Sequence, residues 1–213
     1  LSSGGVTMRS GLYNLNGNSD TVGAISLTGS TISTGAGTLT GNGSFTTATN
    51  ANFSSIITGN LGLGANATFT IGDGLMDNDA VISAVISGGF TFAKAGNGVL
   101  ELSGSNTFSG ATTISAGILR LGATGGGTNT PLGTTAGGTT VSGATAALDL
   151  NGYTLGTAEG LTLSGALATG ALQNTSSTAV NYSGLVTLGA ASTIISNYGD
   201  INITNTGNIT GNT

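Results

Sequence analysis

The sequence has no histidine, no cysteine and no tryptophan, a single proline, and only three lysines and arginines against eight aspartates and glutamates. Each shortage removes a class of function. Without histidine a Ser-His-Asp triad has no base. Without histidine or cysteine the usual zinc ligand sets cannot be assembled, and there is no disulfide framework. Three scattered cations cannot neutralise a run of phosphates, so nucleic acid is not expected as a partner. No apolar run approaches the roughly 20 residues of a membrane-spanning helix, so this segment is not expected to insert in a bilayer. No secretion leader is legible either, and the chain reads as a mature product or an excised piece. Near absence of proline, with no three-residue glycine period, rules out collagen.

What is present is glycine, 40 of 213 residues, accompanied by Ser, Thr and Asn. A disordered linker would be poor in apolar residues, yet the mean hydropathy is positive, +0.29, and apolar side chains recur in every window. Helix formers are sparse. Many short strands joined by tight turns account for this composition, with the net charge of −5 spread thinly.

The pattern is clearest from Lys94 to Gly122. Leu100-Glu101-Leu102 and Leu119-Arg120-Leu121 each place a charged residue between two apolar ones, the period-two signature of a strand with one buried face. Leu100 to Leu119, and Leu102 to Leu121, are each 19 residues apart, close to one turn of a small β-solenoid. Stacked as neighbouring rungs, they set Glu101 beside Arg120 at about 4.8 Å. Asp149 extends this into an outer charge row, worth about 0–1 kcal/mol as a register device; a carbohydrate contact site is the rival reading.

The 27 residues GNGVLELSGSNTFSGATTISAGILRLG resemble the autotransporter-associated β-strand repeat of bacterial surface proteins. That repeat has the general form G-x-G-T-L-x-L-S-G-x-N-T-Y-[ST]-G-x-T-x-[IV]-x-x-G-x-L-x-[LV]-G; here Val99 stands for Thr and Phe108 for Tyr. The family's usual L-D-L-N-G follow-on appears as Leu148-Asp149-Leu150-Asn151-Gly152, and the likeness is strongest over residues 90–165. The resemblance implies an all-β, right-handed parallel β-helix in a secreted or surface-displayed bacterial passenger. It implies scaffold, not a chemistry, and Leu100, Leu102, Leu119, Leu121, Leu148 and Leu150 are its structural residues.

Along the chain, Leu150-Asn151-Gly152 matches Leu15-Asn16-Gly17 at an offset of 135, and Leu163-Ser164-Gly165 matches Leu27-Thr28-Gly29 at 136. Such self-similarity is what an array of stacked units produces. Between 31 and 72 the apolar residues Ile32, Leu39, Phe45, Phe53, Ile56, Leu61, Leu63, Phe69 and Ile71 mark short strands, with Thr68 and Thr70 outward. Residues 73–89 read as strand or turn in preference to a helical excursion. Phe90 and Phe92 begin the central motif, 90–122, and 123–140, with Pro131, reads as a loop projecting from the solenoid. The pattern resumes through Leu172, Val180, Leu185, Leu188, Ile194, Ile201, Ile203 and Ile209. Neither end reads as a capping helix, so open coil edges able to pair with another chain are expected.

Candidate chemistry is thin. Asp73, Asp77, Asn78 and Asp79 are four oxygen donors close in sequence and form a calcium candidate, without EF-hand order; a solvated acidic loop is the plainer reading. The same carboxylates lack the Arg, Lys or aromatic platform of a polysaccharide-cleaving β-helix. GNG at Gly41 and at Gly96 does not continue to G-x-G-x-x-G before a helix and reads as turns. Outward threonines, Thr68 and Thr70 or Thr112 and Thr113, do not recur on every coil as an ice-binding face requires. Asn66 and Asn181 head chance-level sequons.

The sequence therefore predicts one solenoid over 1–213, with no capping helices and no cofactor beyond the calcium candidate. It should have roughly nine to eleven coils of about 20 residues, stacked to about 45–55 Å. The expected role is non-catalytic, an extracellular structural or adhesive element of a bacterial surface. Its expected partners are further copies, end to end, or a cell-surface glycan or protein receptor. A carbohydrate-binding or carbohydrate-active β-helix is the alternative.

Overall fold

Strands of three to five residues between turn formers cannot satisfy their own backbone, so each must pair with the equivalent strand one coil later. The computed structural model describes residues 4–49, 52–157, 159–165 and 170–211, and every regular element among them is a strand. One parallel sheet has ten strands, from Val6–Met8 through Phe92–Ala95 to Thr210–Gly211. A second runs from Gly11–Asn14 through Val99–Leu102 to Ile194–Ser196. The long strands Ser30–Gly41 and Ser55–Leu63 turn a corner from this sheet onto a third, less regular face. That face reappears near the far end as the paired strands Val180–Tyr182 and Ile201–Ile203. The whole is a β-solenoid of about nine turns. Its connections are parallel crossovers, a type that is right-handed in about 98% of cases.

The central registers agree with the sequence spacing. Leu100 lies opposite Leu119, Glu101 opposite Arg120 and Leu102 opposite Leu121. Leu119 and Arg120 then lie opposite Leu148 and Asp149. Coil length is less uniform than 20, ranging from 19 (Leu100 to Leu119) to 29 (Leu119 to Leu148).

Inward positions form columns. Phe45, Phe69, Phe92 and Phe108 stack ring on ring along the axis, with centroids 4.9, 4.4 and 5.5 Å apart. Leu100, Leu102, Leu119, Leu121, Leu148 and Leu150 are all fully buried. The Asn-Gly pairs make one turn twice. Asn16 and Asn151 are the only non-glycine residues at positive φ among those described, at 51° and 47°, each followed by a glycine at 82° and 81°. In both, the asparagine amide bonds the side chain two residues earlier, Asn14 or Asp149.

Several expectations need correction. Phe53 is 71% exposed, and Phe90, Leu185, Ile194 and Ile209 are also exposed. Phe53 and Phe90 lie at bends outside the strands, where alternation has no hold. Thr112 points inward, not outward, because adjacent strand residues face opposite ways; its hydroxyl donates to the Leu132 carbonyl at 2.9 Å. Residues 73–89 need no correction: they hold two strands, Ala80–Ile82 and Val85–Ser87, in place of a helical excursion. The stretch 123–140 does not simply project. Gly126, Gly127 and Thr128 are exposed, but Thr130 to Gly133 are buried, and Thr139–Val141 is a strand of the first sheet.

Phe92 has aromatic rings on both sides and no exposure, so Phe92→Ala should lower stability by about 3–5 kcal/mol in urea denaturation. Phe53→Ala, at an exposed bend, should stay within about 0.5 kcal/mol of the parent.

Candidate functional site

The four calcium candidates do not converge. Asp79 is buried, and its carboxylate closes a turn by accepting from the Gly74 amide at 2.6 Å and the Val99 amide at 2.7 Å. Asp73 stays exposed on the surface. The Asn78 side-chain oxygen and the Asp77 carbonyl oxygen receive Arg120 Nη1 at 2.8 and 3.1 Å. A guanidinium therefore occupies one candidate side-chain oxygen, that of Asn78, and the backbone oxygen beside it. No group of three or more acidic side chains placed to hold a metal occurs among the described residues.

The charge row also differs from expectation. Arg120 Nε donates to Asp149 Oδ2 at 3.0 Å, the one ion pair among the described residues. Asp149 shares the outward parity of Arg120 but is fully buried beneath its partners. It also accepts from the Thr175 hydroxyl at 2.7 Å and from the Asn151 and Thr175 amides at 3.0 and 3.2 Å. Glu101, opposite Arg120 in register, instead takes the Asn78 amide at 2.8 Å. The longer arginine reaches past it to the rung beyond. Asn78, Glu101, Arg120, Asp149 and Thr175 thus form a polar spine beside five successive strands of the second sheet.

Lys94, Glu159 and Tyr182 are buried ionisable residues that escaped the sequence reading. Lys94 occupies an inward position between Phe69 and Ile114. Its ammonium donates to the carbonyls of Ala95, Gly96 and Ala116 at 3.1, 2.8 and 3.0 Å. Three donors meet three acceptors, which makes the buried charge tolerable. Burial nevertheless lowers its pKa from 10.5 to about 7, against the pull of Asp79. The signal was present, since Lys94 shares the inward parity of Phe92. Glu159 is fully buried too. Its oxygens meet only two threonines, Thr139 Oγ1 at 2.6 Å and Thr130 Oγ1 at 3.2 Å. Burial pushes its pKa up from 4.5 to about 7, more than these hydroxyls lower it. Nothing in the sequence around Gly160 marks Glu159 as inward.

Two of the grooves on the outside lie among the described residues. The larger, about 640 Å³, is apolar and lined by Leu12, Thr31, Phe53, Ile56 and Met76. The smaller, about 310 Å³, offers Thr47, Thr49, Thr70, Asp73 and Asn97. Neither brings together a base, a nucleophile and a charge-stabilising group.

The family described as Passenger-associated-transport-repeat matches residues 92–121. Those residues form the two successive coils that carry Phe92–Ala95, Val99–Leu102, Thr112–Ile114 and Gly117–Leu121. The molecule is thus a β-solenoid carrying a repeat of the autotransporter passenger type. No curated protein and no solved structure matches the chain.

Arg120→Leu leaves the buried Asp149 carboxylate without its cation, and should cost about 1.5–3 kcal/mol in denaturant. Glu101→Gln, on the half-exposed side, should change stability by less than about 0.5 kcal/mol.

The two shifted groups set a pH profile. Between 4.5 and about 7, folded Glu159 keeps a proton that the unfolded chain has released, so stability falls as pH rises. From about 7 to 10.5, folded Lys94 has released a proton that the unfolded chain holds, so stability rises. The urea midpoint should therefore pass through a minimum near neutrality. Glu159→Gln should remove the falling limb, and Lys94→Met the rising one.

Proposed function

We propose that the chain is a non-catalytic structural segment of an extracellular bacterial passenger, a stiff spacer displayed at the cell surface. The observation that carries this reading is the position of the matched repeat, 92–121, inside a continuous parallel ladder. The repeat is two of its rungs. Each coil presents its backbone as a template for the next, so such a ladder lengthens by adding units without changing its cross-section.

The periodicity also supports a filament form. Parallel rungs offer the same backbone register at every level, and copies stacked head to tail make a contact that does not close. Adhesion belongs to the same reading, with the exposed faces meeting a cell-surface protein or glycan. The smaller groove favours a glycan, because its carboxylate, amide and hydroxyl groups are the ones that hydrogen-bond sugars.

The test is display. Fused upstream of a translocator β-barrel in a Gram-negative host, the segment should reach the surface, with an inserted epitope open to antibody on intact cells. Retention in the periplasm as folded protein would overturn the passenger reading. Electron microscopy of the purified chain should show short rods for a spacer or thin fibres for a filament. Globular particles would overturn both. Binding on a glycan array that Asp73→Ala and Asn97→Ala abolish would establish the adhesive role at the smaller groove.

A further inference from the structure

Asn129–Thr130 and Gly133–Thr134 form the one antiparallel strand pair among the described residues, inside the longest coil. The hairpin is seated by Leu132, which is 1% exposed, and by the Asn106 side-chain amide donating to the Pro131 carbonyl at 2.6 Å. Asn106 N donates to the Thr130 carbonyl, and Thr134 N to that of Phe108. The Thr112 hydroxyl donates to the Leu132 carbonyl at 2.9 Å, and a further buried anchor is the Thr130 hydroxyl.

That hydroxyl has three partners. The Leu132 amide donates to it at 3.0 Å, the Gly133 carbonyl oxygen lies at 3.1 Å, and Glu159 Oε2 at 3.2 Å. A threonine hydroxyl carries one hydrogen and two acceptor sites. If Glu159 is ionised, that single hydrogen cannot serve both the carboxylate and the Gly133 carbonyl, and one of the two contacts is left without a hydrogen. If Glu159 is neutral, its own O–H donates to Thr130 Oγ1 and the Thr130 hydrogen passes on to Gly133. Every group is then satisfied, with Thr139 donating to Oε1 throughout. We propose that the 129–134 hairpin is a proton-controlled flap, seated on the core while Glu159 is neutral and released as Glu159 ionises.

The surroundings support this. The titratable group facing Glu159 is Tyr182, whose hydroxyl donates to the Glu159 carbonyl at 2.8 Å and whose own ionisation burial suppresses. No lysine or arginine lies within ion-pair reach of the Glu159 carboxyl among the described residues. Thr130 and Thr139 face it from their strands without charge. The raised pKa of Glu159, about 7, places the transition in the mildly acidic to neutral range. Release would uncover Leu132 and the Phe108 ring, against which Gly133 packs so closely that a Cβ there would sit 2.7 Å from it.

Amide hydrogen exchange of the whole chain across pH 4.5 to 8.5 tests the flap. After correction for intrinsic exchange, protection of the Leu132 and Thr134 amides should fall by up to about tenfold per pH unit to about pH 7 and then level off. The strand Val99–Leu102 should not follow. In Glu159→Gln, whose amide can donate to Thr130 as the neutral acid does, protection should be high and flat. An identical loss in parent and variant would sink the proposal. Should the variant fail to fold, carbon-13 titration of the Glu159 carboxyl in the parent decides. A midpoint near neutrality that coincides with the loss of protection supports the flap, and one below about pH 5 overturns it.

Discussion

The structure depends on parallel strands of successive coils sharing their backbone hydrogen bonds in register. The Ala67 amide donates to the Thr91 carbonyl at 3.0 Å, and the Leu148 amide to the Ala171 carbonyl at 2.9 Å, each partner one coil along. Because a one-residue slip would turn every side chain to the other face, the inward residue of one rung fixes the height and face of the next. Columns follow from that constraint, and the phenylalanine stack is its clearest product. Extra residues fit only at corners. The coil from Leu119 to Leu148 takes its surplus there and folds it into the 129–134 hairpin.

A column admits a polar residue only if its groups find partners inside, since an unmet buried donor or acceptor costs about 1–3 kcal/mol. Most here do. Asn174 donates to the Thr178 and Gly199 carbonyls, both at 2.8 Å, and accepts from the Gly152 amide at 3.0 Å. Asn106 accepts from the Ile86 amide at 2.7 Å and donates to Pro131. Both bridge places where the coil backbone leaves regular pairing. Asp149 collects four donors, one of them the Asn151 amide of its own turn. Glu159 has only hydroxyls, and burial outweighs hydrogen bonding there.

The same constraint explains why a scaffold reading fits this molecule. Side chains that would carry chemistry are drawn into holding rungs together: the guanidinium of Arg120 links Asn78 to Asp149, and the ammonium of Lys94 stays inside among carbonyls. What remains outside is mostly Ser, Thr, Asn and Gly, with an apolar groove around Phe53 and a polar one around Asp73. A ladder of this kind offers length and faces.

Much of the fold was legible because a strand's period is local. Leu100, Leu102, Leu119 and Leu121 declare their inward face within three residues, and their separation of 19 sets adjacent rungs. Asn16-Gly17 and Asn151-Gly152 declare their turns, since few other pairs accept two left-handed residues in succession. The lack of histidine and cysteine bounded the chemistry outright. Which residue stands on the neighbouring rung is another matter. With coils running from 19 to 29 residues, a side chain's partner lies at no fixed distance along the chain. Glu101 stands opposite Arg120 as the spacing of 19 requires, yet Arg120 bonds Asn78 and Asp149, while Glu159 meets Thr130 and Thr139. Local alternation sets the face a residue shows, whereas the lengths of the corners, settled only when the coils close on one another, decide what it touches.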